Sequence, residues 1–167
     1  MVRRALLTAA LLLTAPARAQ DGCRLCYGDP LAVPGERALG IEIWTDLNFS
    51  KLALTGRNGG SAELAATGGG KQISGELVDL GGVPVTGHGK ISGVPLRAVQ
   101  IELPDRVDMV TPDGGHAELA GFTTDLPQHP TLNANGELEF SFGARLAVHG
   151  GLGGNYRGRI LISVDYN

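Results

Sequence analysis

Cys23 and Cys26, the only two cysteines of the chain, are separated by two residues and are the pair whose type and spacing most directly suggest chemistry. In an oxidising compartment they can pair with each other, stapling a tiny loop, or pair between chains. A thiol–disulfide centre would want them at the N-terminus of a helix in a β-α-β setting, where the thiolate is stabilised. Pro30, Pro34 and the absence of a helical pattern speak against that. Haem attachment needs a histidine where Tyr27 stands, and zinc lacks a second ligand pair.

The remaining candidates fail on spacing. His88, His116, His129 and His149 are scattered among turn-like segments with no short ligand spacing. Ser61 has Glu63 where the last glycine of a nucleophile elbow belongs. Gly70-Lys71 runs into Gln72 rather than a hydroxyl residue, and Gly87-x-Gly89 meets Ser92 where a third glycine is needed, so neither phosphate loop is complete. Glu102, Asp105, Asp108 and Asp113 lack the order of a calcium loop and read as a solvated acidic edge. Trp44 is the only tryptophan, out of phase with Ile41 and Ile43; it is expected to pack in a core or seam, with a glycan platform as the alternative. The sequence thus predicts no catalytic residue, no cofactor and no metal, and a protein that is not an enzyme.

Arg3 and Arg4 precede the apolar run from Ala5 to Leu13, and Ala17-Arg18-Ala19 offers small residues for a signal peptidase, so residues 1–19 are expected to be a leader cleaved before Gln20. Without the three arginines of that leader, 11 basic residues face 17 acidic ones, a net charge of −6. Such a balance disfavours nucleic acid and anionic lipid as partners. The apolar run is too short to be a resident span, which needs about 20 residues. The expected fate is export to a periplasm or outer surface.

Positioning falls to strands. Glycine makes up 26 of 167 residues, roughly double the usual share of about 7%, and it punctuates short alternating runs. Leu39 to Thr45 reads as a first strand with Leu39, Ile41 and Ile43 on one side, continued by Asp46 to Leu54 after a bulge. Ala98 to Leu103 alternates cleanly before Pro104, Asn133 to Gly136 is a turn, and Glu137 to Phe142 and Arg145 to Val148 follow. In the closing stretch Tyr156, Ile160, Ile162, Val164 and Tyr166 fall on one side, and Arg157, Arg159, Ser163 and Asp165 on the other. The expected organisation is a leader (1–19), a cysteine-containing arm (20–37) and one β-sandwich domain (38–167).

Asp46-Leu-Asn-Phe49, Val99-Gln-Ile-Glu-Leu-Pro104, Leu132-Asn-Ala-Asn-Gly136, Phe142-Gly-Ala-Arg-Leu146 and the ending from Gly154 to Asn167 form an ordered set. With them the chain resembles the bacterial secreted domain of unknown function 4402, and its ending is similar to those of spore-coat-U-like and fimbrial subunits. The resemblance implies an all-β, immunoglobulin-like sandwich, exported, with a surface or fimbria-like structural role and no catalytic residue. The Cys23-Arg-Leu-Cys26 arm departs from the commoner form. Partners expected on this reading are other copies or surface-assembly proteins, met through a sheet edge at Tyr156, Ile160, Ile162, Val164 and Tyr166. The alternatives are a glycan or small-ligand module using Trp44 with loops near His116 and His129, and an exported thiol–disulfide protein using Cys23 and Cys26.

Overall fold

The computed structural model describes residues 37–68, 70–150 and 154–167. The leader, Cys23 and Cys26 lie outside the described residues. Eleven strands and no helix are found among those residues: β1 (Gly40–Thr45), β2 (Leu52–Leu54), β3 (Gly60–Leu64), β4 (Lys71–Gly75), β5 (Leu77–Asp79), β6 (Gly87–Ser92), β7 (Val99–Glu102), β8 (Arg106–Val110), β9 (His116–Thr124), β10 (Glu137–Val148) and β11 (Ser163–Tyr166). No described helix exists that is long and apolar enough to cross a membrane. All pairings are antiparallel.

The twelve residues of β10 organise the rest. Its first half pairs with β6 from Glu137 to Phe142, its second half with β3 from Ala144 to Val148, and β9 lies along its opposite edge. Phe140, Phe142, Ala144, Leu146 and Val148 are all buried, so a single two-residue period runs through both halves. Burying such side chains stabilises by roughly 1.5–3 kcal/mol for each large one. The first half feeds a core of Ile91, Val99, Leu132, Phe140 and Phe142, and the second a core of Phe49, Ala62, Leu64, Leu77, Leu119, Leu146 and Val148.

Gly143 is the hinge between the halves. The ladder to β9 slips there, and a side chain at this position would run into the Leu64 carbonyl and the backbone of Ala65 and Ala66. A second glycine, Gly136, takes φ +78° to close the turn into β10. Asn133 completes that turn, its side-chain oxygen accepting from the Asn135 and Glu137 amides at 2.8 and 3.0 Å.

Opposite the seven-stranded sheet stand two separate two-stranded pieces, β11–β7 and β2–β5. The first packs on the Phe140 core through Ile101, Val164 and Tyr166; the second packs on the Leu146 core through Leu52, Leu54 and Leu77. The all-β, two-layered expectation holds, with one layer divided.

Several boundaries differ from the sequence reading. Asp46 to Leu54 is not one strand: Asn48 makes an isolated bridge to Val85, Ser50 turns the chain with φ +62°, and only β2 follows. Ile41 and Ile43 remain 37% and 39% exposed, because β1 is an edge strand paired with β6 alone. Two strands went unanticipated, β4 and β8.

Gly143→Ala should destabilise the domain by about 1–3 kcal/mol, the usual cost of forcing an atom into a packed interior. Gly70→Ala, whose added carbon meets only the Gly68 carbonyl oxygen at 3.9 Å, should stay within about 0.5 kcal/mol. Urea midpoints of the two variants check this.

Candidate functional site

The closing stretch supplies one wall of a groove. Tyr156, Ile160, Ile162, Val164 and Tyr166 are half-buried, and Arg157, Arg159, Leu161, Ser163 and Asp165 between them are exposed, so the expected phase is right. The expected continuous strand is not. Arg157 exchanges both backbone hydrogen bonds with Val110 at 3.1 Å, and β11 pairs with β7, but residues 158–162 belong to no strand. Gly158 lies against Val107, Asp108 and Met109 of β8, and Leu103-Pro104-Asp105 link β8 to the strand that β11 pairs. Pro104 has no N–H to give, and the register has slipped by two residues between the pair Ser163–Glu102 and the pair Arg157–Val110.

Backbone direction alternates along an extended segment. Arg157 and Asn167 direct their amides toward β8 and the start of β7, bonding Val110 and Ala98. Between these fixed points residues 158–162 form no strand, and a groove opens beside them.

The groove has a volume of about 1150 Å³ and lies between residues 154–162 and residues 46–54. Phe142, Leu146, Val148 and Leu77 form its floor, Ile43 and Met109 reach into it, and Ile160 and Ile162 line one wall. Leu52 and Leu54 line the other, on a strand paired only with β5. Asp46, Arg157 and Arg159 sit on the rim. This arrangement is suited to taking an extended segment: apolar side chains go down, and backbone groups meet an open edge. An apolar floor with charges confined to the rim offers no acid–base pair.

Elsewhere the described residues bring together little that is reactive. His88 lies on β6, not in a turn; its Nδ1 is 3.1 Å from Ser141 Oγ and its Nε2 is 3.1 Å from Thr86 Oγ1. The nearby Asp125 carboxylate accepts from the Ser141 amide at 2.8 Å. Ser141 and His88 thus form a hydrogen-bonded pair on an exposed strand face, with a hydroxyl rather than a carboxylate on the second ring nitrogen. No cluster of three or more metal-ligating side chains is found among the described residues. Asp108 stands opposite Glu118 across β8 and β9, and Arg106 Nε meets Glu118 at 3.1 Å.

Trp44 is 49% exposed, with the Lys90 ammonium 5.5 Å from its ring and Lys90 bound in turn to Glu137 at 3.2 Å. Its strand neighbour Ile43 is level with Phe140, and His116 lies just past the level of Val148. The eight intervening residues of β10 span roughly 27 Å, so these groups do not share a concave surface.

Lys71, read in the sequence only as part of a failed phosphate loop, buries its side chain beside Phe49 of the groove lining. Its side chain is 3% exposed, and Nζ donates to the Phe49 carbonyl at 3.1 Å and to Asp79 at 2.7 Å. The pair ties the Phe49 segment to β5. Hydrogen bonding from Lys71, then from the Gly81 amide, holds the Asp79 carboxyl below the usual carboxylate range.

The profile of a family described as Domain of unknown function (DUF4402) matches residues 39–166. No curated protein matches the chain, and no solved structure does.

A carboxylate whose acidity is strengthened by folding contributes stability above its unfolded pKa and loses it as the pH falls through the folded value. Urea midpoints should therefore fall as pH drops below about 4, the ordinary aspartate range, and Asp79→Asn should flatten that acid limb. A limb unchanged in the variant would show the ion pair to be inert.

Proposed function

This chain belongs to the DUF4402 family, and from that premise we propose that the protein is an exported, non-enzymatic β-sandwich serving as a structural subunit of the cell surface in a fimbria-like manner. It assembles by accepting a strand at its divided layer. The observation that carries the reading is the groove itself: an apolar floor running between Leu52–Leu54 and Ile160–Ile162, beside backbone groups that no described strand pairs.

Three features support it. Strand addition supplies affinity through backbone hydrogen bonds and specificity through alternate side chains, which is what an open edge beside a trough of mixed polar and apolar lining can use. The leader-like first 19 residues fit export to a periplasm or outer surface. The net charge of −6 without that leader favours protein over nucleic acid as the partner.

Expressed with its leader in a Gram-negative host, the protein should run as a ladder of multimers when surface fractions are electrophoresed without heating, and collapse to monomer on boiling. Ile162→Lys, which puts a charge in the trough, should reduce the ladder to monomer while leaving the far-ultraviolet dichroism of a β protein. A wild-type fraction that is monomeric throughout would overturn the reading.

A further inference from the structure

The outer face of the seven-stranded sheet holds a second concavity, away from the trough. On β10 the side chains of Leu146 and Val148 are buried in the core, so Arg145 and Ala147 stand on the other face. There a depression of about 410 Å³ lies over β4, β3, β10 and β9. We infer that it binds a sugar carrying one carboxylate, with Arg145 taking the acid group and Glu118 the hydroxyls. This goes beyond strand acceptance and does not depend on it, because the trough lies on the opposite face of β10.

Small residues make the depression. The register sets Ser74, Ser61, Ala147 and Glu118 side by side across four strands. Neighbouring strands lie about 4.8 Å apart, so Ser61 and Glu118 flank the Ala147 methyl about 10 Å from each other, a gap that admits one sugar ring. Ala120, level with Arg145, keeps the next row open.

Donors stand on one side of that gap. Arg145 Nε and Nη2 donate to Ser61 Oγ at 3.3 and 3.1 Å, and Ser61 Oγ lies 2.8 Å from Ser74 Oγ. A hydroxyl oxygen accepts twice, so Ser61 gives its own hydrogen to Ser74, and the Ser74 hydrogen is left for a ligand. The outer N–H groups of the guanidinium meet no carboxylate among the described residues, although Glu63 stands opposite Arg145 on β3. A planar fork held in this way by one edge offers the other to a carboxylate.

The acceptor on the far side is Glu118, whose charge Arg106 already meets at 3.1 Å. Its remaining lone pairs therefore suit neutral hydroxyls better than a second cation. A ligand that satisfies both sides brings an acid and hydroxyls one ring apart, which is the chemistry of a uronic acid. No aromatic side chain lines the depression, so a flat apolar ligand gains little there. The excess of acidic over basic residues opposes a polyanion, whereas the repulsion of a single carboxylate is screened within about 8 Å at physiological salt.

Titrating the purified protein with methyl glucuronoside, followed by amide NMR shifts, tests the site. The signals of Ser61, Ala147 and Glu118 should move to saturation, and methyl glucoside, which lacks the acid, should leave them in place. Arg145→Ala should weaken binding at least about tenfold, the loss of a charge-assisted pair. Ala147→Leu, which fills the floor and removes no polar group, should weaken it as much, and both variants should keep the wild-type melting transition. Equal binding of the neutral glycoside, or wild-type binding by Arg145→Ala, would overturn the role given to Arg145. Acetate or an acetylated glutamate peptide binding as tightly as the glycoside would make this a carboxylate site with no preference for sugar, and no shift with any probe would overturn the inference outright.

Discussion

One strand has to serve two cores, and that constraint governs the domain. β10 carries buried side chains at every second position from Phe140 to Val148, and no other strand is long enough to connect the two clusters. A continuous ladder on both edges is impossible where its partner changes from β6 to β3, so the changeover falls at a residue without a side chain, Gly143, against the Leu64 carbonyl. Packing at this crossing is backbone against side-chain-free backbone, which tolerates no added carbon. The opposing layer follows suit: each core recruits its own two-stranded cover, and the covers do not meet.

The resulting gap leaves a groove between the two covers. A domain of this kind usually completes both layers, because each unpaired backbone group and each uncovered leucine is a liability in water. Here the liability is concentrated in one trough bounded by Leu52–Leu54 and Ile160–Ile162. Ile43, nominally on the inner side of β1, keeps 39% of its surface exposed because nothing described lies over it. Arg157 and Arg159 place like charge beside that opening, and like charge opposes the stacking of identical surfaces.

Much of the architecture was legible as alternation. The phase of Tyr156, Ile160, Ile162, Val164 and Tyr166 was readable because the inward positions are all apolar, and Asn133 to Gly136 announced its turn through residues that tolerate unusual backbone. β4 was hidden because Ile73 is its sole apolar residue between Gln72 and Ser74; its position comes from pairing with β3. β8 had a signal in Val107 and Met109, but the neighbouring aspartates masked it as a solvated edge. The trough had no local signature at all. Its walls lie about a hundred residues apart in the chain, and the terminal ladder breaks with a two-residue slip in register that no local pattern announces. Cys23 and Cys26 lie outside the described residues, so their partners are not part of this picture.

Tyr166 bears on how such a fold is reached. Its hydroxyl accepts from the Val94 amide at 2.8 Å and donates to the Arg37 carbonyl, linking residues 72 and 129 positions apart, and the Arg97 guanidinium lies 4.9 Å from its ring. Contacts so distant along the chain must absorb a large loop-closure entropy before they return any stabilisation, which slows folding. Both ends of the described domain are therefore held through one phenol, and a substitution there that removes the hydroxyl would loosen the Val94 and Arg37 segments together.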